Sequence, residues 1–144
     1  MPYQYLDDIA SADVAFKATG KSRAEMFVSA GNAVLQVMME NFASLNAQET
    51  KDIDIDADNE EMLLLKYLQE IIFLKDAEQL LLRASRVSIR REKRGTLSLC
   101  ARLQGEKIDP ARHHLNVDVK AVTMHRFRVQ QTQDGWQAVV VLDI

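Results

Sequence analysis

The stretch KDIDIDADNEEMLLLKYLQEII (51–72) changes its hydrophobic period from two to between three and four without an intervening linker. No other feature constrains the fold as much. Ile53 and Ile55 alternate with Asp52, Asp54 and Asp56, the pattern of a strand with one face buried and one in water. Leu64, Leu65, Leu68, Ile71 and Ile72 then recur at helical spacing, and Asp58 with Glu61 is the expected N-cap pair of that helix. The strand face and the helix stripe are each too apolar to stand alone, so the two must share a core.

The same change of period occurs earlier. ADVAFKATG (12–20) alternates around Val14, Phe16 and Ala18 and stops at Gly20. Ser22-Arg23-Ala24-Glu25 has the form of a capping box, and Met26, Phe27, Ala30, Ala33, Val34, Val37 and Met38 follow at helical spacing, roughly five turns. The second half is β-rich. Leu80 to Leu103 holds two strand-like runs around the charged turn RREKRG, closed by Gly95. VKAVTMHRFRVQQ and WQAVVVLDI are joined at Asp134-Gly135, a strong hairpin signal. These signals predict an α+β fold: a single domain over 1–144, with two helices on one face of a largely antiparallel sheet of about six or seven strands.

Composition narrows the class. A 144-residue chain, 47% hydrophobic and 27% charged, buries a core without staples. The formal charge of −3 argues against nucleic-acid binding over the whole surface but leaves room for a local basic patch. Cys100 is the single cysteine, which fits a reducing compartment and predicts a small buried hydrophobe within LSLCARL rather than a zinc ligand. The opening MPYQYLDDIA lacks the pattern of a secretory signal, and the apolar runs are broken by Lys66, Glu70 and Lys75, so a cytoplasmic protein with no membrane span is expected.

The four acids Asp52, Asp54, Asp56 and Asp58 suggest a calcium loop, but a loop starting at Asp52 meets Ala57 and Leu63 where glycine and glutamate are required. A solvated acidic strand face is the better reading. His113, His114 and His125 show no catalytic spacing and are expected at loops or edges. No phosphate-binding glycine motif occurs among the five glycines. RREKR (90–94), with Arg83 and Arg86, reads first as a soluble hairpin tip and second as a phosphate contact, with no aromatic side chains nearby for stacking. Asp13 opens the first expected strand and Asp143 closes the last. If those strands are neighbours, their oxygens and the carboxylate of Ile144 suit a hard cation such as Ca²⁺ or Mg²⁺.

Four segments in order resemble the archease family over essentially the whole chain. They are ASADVAFKATGKSRAEMFVSAGNAVLQVM, LLLKYLQEIIFLKD, GEKIDPARHHLNVDVKAVTMHRF and DGWQAVVVLDI. The resemblance implies a non-catalytic accessory factor that promotes guanylylation and multiple turnover of an RtcB-type RNA ligase in tRNA splicing or RNA repair. It also implies a metal site at Asp13, Asp143 and Ile144, with Ca²⁺ the expected ion and Mg²⁺ or Mn²⁺ the alternatives. The expected partner is the ligase, with RNA contact indirect or weak. The competing readings are a standalone metal-dependent enzyme acting on phosphate esters and a protein-binding chaperone. The chain departs from the family pattern at Ala10 (usually His), Lys107 (usually Pro) and Met124 (usually Tyr).

Overall fold

A computed structural model describes residues 2–6 and 13–144. The Ala10 departure lies outside the described residues. The elements run β1 (Tyr3–Tyr5), β2 (Val14–Gly20), α1 (Arg23–Met38), a 3-10 turn (Phe42–Ser44), β3 (Glu49–Ala57), α2 (Glu60–Glu78), β4 (Leu80–Arg91), β5 (Leu97–Lys107), β6 (Ala121–Thr132) and β7 (Gly135–Asp143). The architecture is α+β, and every strand pairing is antiparallel.

The strands form two sheets rather than the single one expected. One has the order β1-β2-β7-β6 and the other β3-β5-β4. The reason lies in the helices. Beyond the expected apolar stripe, α1 also buries Ser29, Gly31 and Leu35, and α2 also buries Leu63, Tyr67 and Leu74. Helices apolar over more than one face need cover on more than one side. Accordingly α1 packs against β2 of one sheet and β4 of the other, and α2 packs against β6 and against all of β3, β4 and β5.

Local chemistry sets the boundaries. Ser22 Oγ accepts from the Glu25 N–H at 3.1 Å, and Glu25 Oε2 accepts from the Lys21 N–H at 2.8 Å, so the capping box closes one residue earlier on its return arm. The cap of α2 is Asn59, not Asp58. Its Oδ1 accepts from the Met62 N–H at 2.9 Å. The β3 ladder continues to Ala57, opposite Leu97, which leaves Asp58 as the connecting residue and moves the cap one place on. Gly95, at φ +96, turns the β4–β5 hairpin. Gly135 begins β7, where a Cβ would lie 2.3 Å from the Gly20 carbonyl oxygen, so the close approach of β2 requires glycine there.

On the three-stranded sheet, Leu97, Leu99, Ala101 and Leu103 face the core, and the alternation therefore turns Cys100 outward beside Ser98 and Arg102. The expectation of a buried Cys100 is thus corrected by the phase of the strand: the thiol is exposed. Its Sγ lies 2.8 Å from Asp54 Oδ1, and that carboxylate holds the thiol above its usual pKa. Asp52, Asp54 and Asp56 share the same exposed face, where Arg102 Nε donates to Asp52 at 2.9 Å and keeps that carboxyl below its usual pKa. Among the described residues no helix is long and apolar enough to cross a membrane.

Candidate metal centre at the end of the central ladder

The β2–β7 ladder runs from Gly20–Trp136 to Val14–Leu142. Asp143 is the last residue of β7 and Asp13 immediately precedes β2, so each lies one residue beyond the last paired position. One further step of the same register would set their Cβ atoms about 4.5–5.5 Å apart, the reach of one shared ion. Asp143 is also paired with Ala121 on β6, and its carbonyl accepts from the Lys120 N–H at 2.8 Å. The acid therefore ends an inner strand and is held from the β6 side, with its side chain half buried. Ile144 is half buried and packs against the core, so this end of β7 is anchored by its last side chain.

Among the described residues no Lys, Arg or His nitrogen lies within 4.0 Å of the Asp13 or Asp143 carboxylates. Two carboxylates brought together without a cationic partner repel each other, and a bound cation would relieve that repulsion. All the donors are hard oxygens. Also among the described residues, no three His, Cys, Asp or Glu side chains come together, so a fuller set needs the Ile144 carboxylate or oxygens from a partner. In donor type and charge the residues fit a divalent cation of the calcium or magnesium kind.

A polar cluster that sequence reasoning passed over lies close by in the chain. Glu106, near the end of β5, is 3% exposed. Its carboxylate accepts from the Asn46 N–H at 2.6 Å and from Arg112 Nε and Nη2 at 2.9 and 2.7 Å. The Asn46 N–H, with Arg112 and His113, outweighs burial and holds Glu106 below its usual pKa. His113 is buried rather than at a free edge. Its Nδ1 accepts from the Asp109 N–H at 2.9 Å, and its Nε2 stands 3.4 Å from Glu106 Oε1. The signal was available in GEKIDPARHH, but an acid and a base a few residues apart in a loop carry no period to mark them as buried.

The other sequence candidates fall elsewhere. His114 and His125 are exposed. Arg91 of the basic turn reaches Glu60 at 3.8 Å, at the start of α2, whereas Lys75 near the end of α2 pairs with Asp118, just before Lys120. At 1.5 Å per residue, that separates the basic turn from the acid pair by about 22 Å along the helix. A cleft of about 1000 Å³ opens near the basic turn's pole, lined by Gly20, Ala24, Val28, Arg86 and Trp136, and includes neither acid.

The family model of the Archease protein family matches residues 3–144. The protein archease of Methanosarcina barkeri is 34% identical over 142 residues, covering 99% of this chain and 95% of the relative. That of Pyrococcus abyssi is 31% identical over 135 residues, covering 93% and 94%. The solution structure of Methanobacterium thermoautotrophicum protein 1598 is similar with a TM-score of 0.85 at 30% identity, covering 99% of each chain. A crystal structure of an archease from Thermotoga maritima, described as a possible chaperone, shares the fold with a TM-score of 0.61 at 21% identity over 96% of each chain.

Proposed function

This chain belongs to the archease family, and from that premise we propose that it is a non-catalytic activator of an RtcB-type RNA ligase, working in the cytoplasm in tRNA splicing or RNA repair. The observation that carries the reading is the pair of acids at the end of the β2–β7 ladder, without a cationic partner among the described residues. Asp13 and Asp143, with the Ile144 carboxylate, would hold a divalent cation, Ca²⁺ by preference and Mg²⁺ or Mn²⁺ otherwise. When bound, the ion supplies a positive centre for oxygen ligands of a partner.

The protein's own part is placement. In this reading the β2–β7 ladder directs both carboxylates to its open end, the Lys120 N–H fixes the carbonyl of Asp143, and the packed Ile144 side chain holds that residue against the core. A rigid acidic edge of this kind binds one state of a partner's metal-dependent site in preference to another, which is how an activator without chemistry of its own shifts a reaction. The two other readings diverge in one experiment. Purified protein is incubated with GTP, Mn²⁺ and RNA carrying splicing-type ends, with and without the ligase from the same organism. The account expects no joining by the protein alone and faster ligase guanylylation when both are present. Joining or phosphate-ester hydrolysis by the protein alone would establish the enzyme reading. Stimulation that persists when both acids are replaced would favour a chaperone.

A further inference from the structure

Residues 108–120 connect β5 to β6 without regular structure, yet almost every part of this strap is tied down. Arg112 donates to the Glu106 carboxylate, and the buried His113 Nε2 stands 3.4 Å from it. Leu115 bridges to Met39, and the Asn116 and Val117 N–H groups donate to the Met38 and Val37 carbonyls at 2.8 and 3.3 Å. These last carbonyls of α1 would otherwise lack partners, so the strap completes the helix end. The final tie is different in kind. Lys75, in the last turn of α2, is 8% exposed, and its ammonium donates to the Val119 carbonyl at 3.0 Å while pairing with Asp118 and with Asp76. An ammonium buried to this degree is stable only when so surrounded. One residue on, the Lys120 N–H holds the carbonyl of Asp143.

We infer that Lys75 is a positioning residue for the Asp13–Asp143 edge: by clamping Asp118 and Val119 it fixes the Lys120 N–H, and through that bond the end of β7. This inference rests on the proposed cation-binding role of the edge. Arg112, Glu106 and the α1 carbonyls fix the strap's earlier part; between Val117 and Lys120 the Val119 side chain is buried in the core, and among the described residues the one side-chain hydrogen-bonding group that ties the segment is Lys75. Positioning groups behind the ligands of a metal typically change affinity by about 10- to 100-fold when removed.

The test measures amide hydrogen exchange and calcium titration on wild type, Lys75→Met, Asp118→Asn and Asp118→Glu. Asp118 is exposed, so its variants keep the proposal testable if Lys75→Met fails to fold. Lys75→Met and Asp118→Asn are expected to speed exchange at the Lys120 amide about tenfold and to weaken calcium binding about tenfold, with the Val140 amide in mid-ladder unchanged. Asp118→Glu is expected to restore both. Unchanged exchange at Lys120 would overturn the inference, as would unchanged calcium affinity where wild type binds calcium. If wild type binds no calcium, the cation reading of the edge fails by itself, and exchange at Lys120 alone decides the role of Lys75.

Discussion

Asp143 occupies a position that its neighbours' backbones define: Leu142 faces Val14, Ala121 faces Asp143, and Lys120 donates to its carbonyl. None of these contacts uses the carboxylate. Replacing Asp13 or Asp143 with asparagine therefore removes charge without removing a structural bond seen here. Each variant is expected to lose at least tenfold in calcium affinity by calorimetric titration, because a neutral amide is a poorer ligand for a hard cation. In chelator each should melt within about 1 kcal/mol of wild type, since neither change opens the core or breaks a buried network. Cys100 illustrates the opposite case. Its neighbours in LSLCARL are apolar, but a strand's two faces differ by one residue, and the phase set by Leu97, Leu99 and Ala101 puts the thiol in water beside Asp54.

Among the elements, close backbone approach decides where substitution is tolerated. At Gly105 on β5, a Cβ would lie 1.8 Å from the Leu81 carbonyl oxygen on β4, so an alanine forces the strands apart. Gly105→Ala should cost roughly 3 kcal/mol or more in urea unfolding. Gly95→Ala, where a Cβ meets nothing within 4 Å but the backbone has φ +96, should cost only about 1 kcal/mol. The Glu106 cluster gives a pH signature. Its folded carboxyl lies below the ordinary value of 4.5, so the stability it lends is present in full above that pH and is lost as pH falls through the lower folded value. Acid melts of wild type against Glu106→Gln should converge below pH 4.5; curves that stay parallel there would show that the cluster does not respond to protonation.

The elements with strong periods were legible in the sequence: both helices, the alternating strand KDIDIDAD and the two late hairpins. The rest followed from partners that no local window contains. β1 spans only Tyr3–Tyr5, too short to show alternation. The division into two sheets depends on which residues of α1 and α2 are covered from the second side, and the strap's ties to α1 and α2 join residues dozens of positions apart. At the candidate site, the residues left the adjacency of the first long strand and the last as a condition, and the β2–β7 ladder meets it. The backbone bond from Lys120 to Asp143 was not, because backbone donors look the same in every sequence.

On the scale of the whole molecule, the two ends of α2 mark two poles. At one lie the basic turn, the start of α1 and the broad cleft beside Trp136; at the other lie the acid pair, the strap and the last turn of α2. The proposed function uses only the second pole, which is why RNA contact through RREKR is not required for it. The most direct measurement of this claim is multiple-turnover RNA joining by the ligase in the presence of wild type, Asp143→Asn or a form extended beyond Ile144. The account predicts that wild type raises the turnover number, and that both altered proteins, still folded by thermal melt, leave it at the level of ligase alone. Full stimulation by both would contradict the account, because an edge that tolerates a lost charge and an added segment is not the surface through which this protein acts.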